Sequence, residues 1–413
     1  MATLLTEEPD YRAFWEERLQ NPYPLFARMR SEDPVHWCAP MKLWLVTRHD
    51  LCFTGLKDER FSSNRSDMYV QALPPDLKAK VQPLLDHISK WIQLTDEPDH
   101  LRLRKLVNLA FTPRMINQLR PRIEQLVDQL LTDLRPGEPC DIIKRFCQPL
   151  PATVICEMLG IPLAERDRFR ELIEGIMHFS TAGGPNLKHH AENAHAALRE
   201  VITLFERLVA ERRQEPRDDL LSALVSAEAD GERLSNEELY AMCVFVFLAG
   251  HETTTNGIAS GLMALLQHPD QFSKLKANVD AHVRGTVEEA LRFESPVTRA
   301  VRKSTERIEL AGKVIESGQL VVFLLGAADR DPALFPVPDT FDITRTPNKH
   351  LAFGYGSHFC LGAVLARMEM EIAFRAIVRR LPNLRLVTDQ LDWKPTMGIR
   401  ALVKLPVVLG ESL

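Results

Sequence analysis

The chain has 413 residues, 45% of them hydrophobic and 26% charged, with a formal net charge of −5. That is an ordinary globular composition, and its mild acidity argues against a nucleic-acid binder, whose surface is normally basic. No Pro-, Gly- or Ser-rich linker, charge run, repeat or low-complexity tract divides it, so it reads as a single domain over 1–413.

The first twenty residues, MATLLTEEPDYRAFWEERLQ, carry acids and aromatics in place of the basic and then apolar stretches of a signal peptide. Residues 35–47 read as two short strands around a turn. From about 100 to 230 apolar residues recur at three- and four-residue spacing with charges between, the pattern of amphipathic helices. Residues 307–325 alternate and turn at Gly312 and Gly318, so they read as β structure, as does the C-terminal IRALVKLPVVL. Three stretches have weak periodicity and read as irregular segments of the kind that form lids or binding loops: 62–95, 178–195 and the Pro-rich meander DPALFPVPDTFDITRTP. Strands are few and scattered, which predicts a mainly α fold with a small β-rich part. The cluster KHHAENAH, with His189, His190 and His195, lacks i,i+4 pairing and reads as a solvated helix start rather than a metal site.

Between Ser235 and Pro269 the pattern is one long helix. Ser235 and Glu238 have capping-box spacing and Pro269 is the stop. About 33 residues at 1.5 Å each give roughly 50 Å, enough to cross a domain. Its apolar run, LYAMCVFVFLAG at 239–250, is shorter than the about 20 residues that span a bilayer, so a soluble, cytoplasmic protein without membrane attachment is expected. The helix is apolar all round, so the island GHETTTN is a polar cluster in the protein's interior. Taken alone that island is equally a hydrogen-bonded structural patch, since Thr bonds back to the i−4 carbonyl. It is not a zincin motif, because the fifth position of HExxH is Thr255.

Seven cysteines, at 38, 52, 140, 147, 156, 243 and 360, form no CxxC pair and fit neither a disulfide framework nor a zinc site. Cys360 stands apart. It follows the glycine-punctuated loop FGYGSHF and precedes an apolar helix, where free N–H groups and the helix dipole favour a thiolate. A dinucleotide reading of that loop fails, because the third glycine of GxGxxG falls on Phe359. Gly354 and Gly356 permit tight turns, and Gly362 permits close backbone approach to a flat ligand.

The stretch FGYGSHFCLG, Phe353 to Gly362, resembles the haem-binding signature of the cytochrome P-450 haem-thiolate monooxygenases at every defined position. AGHETT at 249–254 is similar to the family's distal-helix motif, Glu289 to Arg292 to its ExxR, and His100 to Arg104 to its early propionate motif. AADRDPALFPVPDTFD resembles its meander. The motifs keep the family's order and spacing over nearly the whole chain. The resemblance implies the cytochrome P-450 fold, of the soluble bacterial type, and haem b (iron protoporphyrin IX) as cofactor. It makes Cys360 the thiolate ligand of the iron, with Phe353 packed over the loop. It implies His100, Arg104, Arg302 and His358 as partners of the two propionates, Arg299 competing with Arg302. On the distal helix it makes Thr253 the hydroxyl offered to the oxygen and Glu252 the proton relay, with Ala249 and Gly250 small enough to leave room for oxygen. Thr340 stands where the family commonly has Arg or His, so the ExxR pair, read as structural, needs another third partner, for which Arg345 is the candidate.

The same resemblance implies a substrate pocket lined by Phe245, Leu248, Ala249, Val297, Ala300 and Met397, with parts of 62–95 and 170–195, apolar enough for a lipophilic molecule. No flavin or iron–sulfur module is fused, so electrons are expected from a ferredoxin with its reductase, or a flavodoxin. That donor would land near the cysteine loop on a basic face for which Arg102, Lys105, Lys349 and Arg367 are candidates. A monomer is expected. Monooxygenation of a lipophilic substrate by dioxygen is the leading reading. A peroxide-driven peroxygenase and a non-catalytic binder of haem or hydrophobic ligands are the alternatives.

Overall fold

The computed structural model describes residues 20–68, 73–135, 137–181, 187–394 and 398–410. The chain divides into two units, one of residues 1–62, 120–150 and 253–413, the other of residues 63–119 and 151–252.

The first unit holds the β structure. Its strands are β1 (Val35–Cys38), β2 (Leu43–Val46), β3 (Phe61–Ser62), β4 (Cys140–Asp141), β5 (Ala300–Ser304), β6 (Ile308–Leu310), β7 (Lys313–Ile315), β8 (Leu320–Phe323), β9 (Leu384–Leu386) and β10 (Pro406–Leu409). They form a five-stranded sheet in the order β1-β2-β8-β5-β3, a three-stranded sheet β4-β10-β9, and the hairpin β6-β7. The expected hairpin at 35–47 is present, with Val35 opposite Val46 and Cys38 opposite Leu43. β2 runs parallel to β8, and β5 runs antiparallel to β8 with Arg302 opposite Val321. Alternation sends Val46 and Phe323 into one buried cluster and Leu45 and Val322 into another, so these strands are covered on both faces. β5 was missed in the sequence because two of its five residues, AVRKS, are charged. Two helices, Pro75–Lys80 and Gln82–Ser89, occupy the middle of the stretch that read as irregular. Their prolines sit in the first turn, where a missing N–H costs nothing.

Four helices position the candidate site residues: α1 (Asp99–Ala110), α2 (Asn236–Gln267), α3 (Val279–Phe293) and α4 (Ala363–Arg380). The capping box of α2 forms as expected: Glu238 N–H donates to Ser235 Oγ at 3.2 Å, and Ser235 N–H to Glu238 Oε2 at 2.9 Å. The second half of α2 lies close against α3 and α4 because it presents glycine to both. A Cβ on Gly261 would stand 2.5 Å from the Phe374 ring and 2.9 Å from Ala290. No helix among the described residues is long and apolar enough to cross a membrane.

α3 carries the expected Glu289–Arg292 pair, wholly buried. All five guanidinium donors are used. Nε and Nη2 reach the Glu289 carboxylate at 2.8 Å each, Nη1 reaches the carbonyls of Asp329 and Pro338, and Nη2 that of Thr340. The third partner is Arg345, whose Nε lies 3.2 Å from both Glu289 oxygens. Asn348 Nδ2 and the Asp342 N–H also donate to Glu289, at 3.1 and 2.9 Å. Thr340 thus enters through its backbone.

Removing one member of such a pair leaves a buried charge without its partner. Arg292→Ala should therefore cost about 3–5 kcal/mol, read as a lowered urea midpoint. Glu369 on α4 is the opposite case. It is 1% exposed, its Oε2 has no hydrogen-bond partner among the described residues, and burial pushes its carboxyl up to about 8. A folded-state value above the unfolded one means stability is lost as pH rises from the ordinary carboxyl range toward 8. Glu369→Gln should raise the unfolding midpoint at pH 8 and leave it nearly unchanged at pH 4. An equal gain at both values would contradict the assignment.

Candidate active site

Two glycines shape the loop that carries Cys360. Gly354 and Gly356 have φ of +68° and +79°, in the left-handed region. A Cβ on Gly356 would stand 2.6 Å from the Leu56 carbonyl oxygen, whereas one on Gly354 would meet nothing closer than 3.9 Å. A 3₁₀ turn spans Gly356–His358, and the Cys360 N–H then donates to the Phe353 carbonyl at 3.0 Å. Gly362 caps α4, so Cys360 sits two residues ahead of the cap. A Cβ on Gly362 would meet no protein atom within 4 Å, so the backbone there is open to a flat group.

Cys360 is half-buried, whereas Cys38, Cys52, Cys147, Cys156 and Cys243 are buried. Burial pushes those five thiols up, Cys156 to about 12, and it also raises that of Cys140. These six are inert near neutral pH. Phe353, next to the turn, has its ring 6.3 Å from that of Phe359, 6.0 Å from His350 and 4.4 Å from the Arg367 guanidinium carbon.

The expected propionate partners lie on three elements. On α1, His100 and Arg104 are one turn apart and share a side. His100 is 2% exposed, and its Nδ1 lies 3.3 Å from Glu97 Oε1. Burial, the main cause, and Arg104 push its pKa down against the pull of Glu97, so the ring is neutral at pH 7. Arg302 on β5 is buried, with Nη1 donating to the Val301 carbonyl at 3.0 Å. His358, in the cysteine loop, is half-buried.

α2 is the most informative element. From Leu239 to Leu265 every residue is buried except Phe245, Leu248, Ala249, Gly250, Glu252 and Thr253. Five of these six share one face, within an arc of about 140° at 100° per residue. The open face thus runs from apolar residues to an acid and a hydroxyl. Gly250 is the sixth, and Ile155 packs against it: a Cβ there would come 2.9 Å from Ile155 Cδ1. Trp91 was missed in the sequence. Its buried ring lies 6.0 Å from that of Phe245. Val297 and Ala300 in the first unit are half-buried, and Val297 bridges to Ile399. Met397 lies outside the described residues.

Three of the four expected docking cations are already paired. Arg102 is bonded to Glu238, Lys105 lies 3.2 Å from Asp230, and Arg367 forks onto Glu288 at 2.7 and 2.9 Å. Lys349 is exposed. The signal for Glu288 was present in the sequence as the doubled acid of VEEALR, but only its second member fitted a motif.

A family model described as Cytochrome P450 matches residues 75–401. The chain is 39% identical to the polyketide biosynthesis cytochrome P450 PksS of Bacillus subtilis (strain 168), covering 95% of this chain and 96% of that protein. It is 38% identical to the vitamin D(3) 25-hydroxylase of Pseudonocardia autotrophica, covering 99% and 98%. The crystal structure of P450BioI in complex with an acyl carrier protein ligated to hexadec-9Z-enoic acid superposes with a TM-score of 0.87 at 35% identity, covering 96% of this chain and 100% of that one.

The two loop glycines give a graded test. Gly354→Ala should cost about 1–2 kcal/mol, the penalty of a left-handed alanine. Gly356→Ala adds a backbone clash and should cost about 3 kcal/mol or more. Thermal midpoints falling in the reverse order would contradict this loop geometry.

Proposed function

This chain belongs to the cytochrome P450 family and is a haem b-dependent monooxygenase, and on that premise we propose that it hydroxylates or epoxidises a lipophilic small molecule with electrons from a separate ferredoxin or flavodoxin. The observation that carries this reading is the open face of α2, apolar at Phe245, Leu248 and Ala249 and ending in Glu252 and Thr253. The relatives' names fit it: one is named for polyketide biosynthesis, one for vitamin D(3), and one was crystallised with a fatty acyl chain. A cytoplasmic location accords with a small soluble electron donor.

The residues fit the cofactor. Cys360 is half-buried where five of the other cysteines are buried, and the backbone at Gly362 is open. In this reading Cys360 would ligate the iron, Phe353 would cover the loop, and His100, Arg104, Arg302 and His358 would bind the propionates. Bound haem supplies the reductive activation of dioxygen, and a thiolate ligand favours O–O cleavage. The chain's own part is to seat the substrate on the apolar face, to exclude water there, and to hold a proton at Thr253 Oγ1. Glu252, adjacent on the helix and half-exposed, resupplies that proton from solvent.

The reduced, carbon-monoxide-bound spectrum tests the ligand. A strongly red-shifted Soret band is expected from the natural protein and its loss from Cys360→His. Retention of the band in that variant would place the ligand elsewhere. Thr253→Ala should raise peroxide release per electron severalfold at unchanged substrate affinity, and unchanged coupling would remove Thr253 from proton delivery.

A further inference from the structure

Two consecutive carboxylates on α3 are used differently. Glu289 closes the Arg292 network, and Glu288 turns to the cysteine loop. Glu288 is bound bidentately by Arg367 on α4, at 2.7 and 2.9 Å, and lies 3.1 Å from His350 Nε2. His350 Nδ1 accepts the Ala352 N–H at 3.2 Å, so the ring proton is on Nε2 and is donated to Glu288. Burial would raise the Glu288 carboxyl, but the bonds from His350 and Arg367 outweigh it and hold it at about 2.

The cluster closes over Phe353. The Arg367 guanidinium carbon lies 4.4 Å over that ring, near enough for cation–π attraction, and His350 flanks the same ring at 6.0 Å. The Phe353 carbonyl in turn accepts the Cys360 N–H at 3.0 Å. A planar cation oriented by a carboxylate fork thus stands on the residue that anchors the cysteine. Lysine would supply the charge without the plane.

We propose that Glu288, His350 and Arg367 form a clamp on Phe353 that positions the Cys360 loop and sets, through the paired charges of Arg367 and Glu288, the reduction potential of the thiolate-ligated haem. The three are positioning residues, and the inference rests on the reading of Cys360 as the ligand. Its sign is fixed by electrostatics, because reduction adds an electron beside the cluster. Arg367 favours the reduced state, and Glu288 opposes it.

The test is an equilibrium redox titration of the haem-loaded protein with small-molecule mediators, in which docking of a protein donor plays no part. Arg367→Leu should lower the reduction equilibrium constant roughly tenfold, about 59 mV for one electron. Glu288→Gln, which leaves Arg367 without its counter-charge, should shift it the opposite way. Arg367→Lys should return the potential most of the way to that of the natural protein. Opposite shifts with lysine rescue support the clamp. Shifts in one common direction, or none, overturn it, since a purely structural role has no sign. Should Arg367→Leu fail to retain haem, the near-isosteric Glu288→Gln decides alone: a raised potential supports the clamp, and an unchanged or lowered one overturns it. A natural protein without the thiolate Soret band would overturn the Cys360 reading itself and the clamp with it. The two failures are therefore distinguishable.

Discussion

The buried Glu289–Arg292 pair is the constraint on which the first unit depends. Two charges removed from water lose several kcal/mol of hydration each, and their attraction offsets that loss only when every remaining donor and acceptor is met. Here each Arg292 donor has a partner, and Glu289 takes additional bonds from Arg345, Asn348 and the Asp342 backbone. The partners that complete the shell are largely carbonyls of the meander, at Asp329, Pro338 and Thr340 for Arg292 and at Pro336, Val337 and Thr340 for Arg345. An irregular segment is therefore fixed by two guanidinium groups instead of by a ladder or a helix. Its lack of periodicity signals carbonyls aimed inward, not mobility.

That fixed meander leads directly into the cysteine loop. Asp329, fully buried at its start, accepts the Leu351 N–H through Oδ1 at 2.6 Å. Gly354 N–H then bonds back to the Leu351 carbonyl at 2.7 Å, and Cys360 N–H to that of Phe353 at 3.0 Å. The position of the thiol is thus inherited by short steps from α3 through the meander, while Glu288, one residue before the buried pair, bonds His350 and Arg367 beside the same loop. α4 contributes its glycine cap and Arg367. If Cys360 ligates haem as proposed, being held by several elements keeps the thiol in register, because no single loop torsion then controls it.

Much of this was legible in the sequence, and the limits of legibility have physical causes. The 32-residue α2 was readable because its cap, its stop and its continuous apolar surface are all local signals. The cysteine loop was readable because left-handed backbone turns call for glycine. Arg345 was legible because Thr340 cannot supply a charge. What stayed hidden depends on partners remote in sequence. Gly250 is small because Ile155 lies against it, β5 is a strand because β8 and β3 flank it, and Glu288 matters because Arg367 is folded onto it. The short helices at 75–89 escaped notice because each is shorter than the window in which a 3.6-residue period can be counted.

The polar island of α2 shows how one motif serves two ends. Of GHETTTN, His251, Thr254, Thr255 and Asn256 are at most 6% exposed, whereas Glu252 and Thr253 remain partly open. Consecutive residues on a helix are turned 100° apart, so a short polar run cannot all face one way. The buried members share the interior with α2's apolar neighbours and serve the fold. The two open members stand at the edge of the apolar face formed by Phe245, Leu248 and Ala249. Under the proposed function this boundary suits proton delivery: an acid inside the apolar patch would be neutralised by desolvation, and one far from it would need a water path through the patch. At the boundary the carboxylate and the hydroxyl both remain partly exposed, so the helix's rotation per residue itself separates the buried members of the motif from the two to which the proposed function gives chemistry.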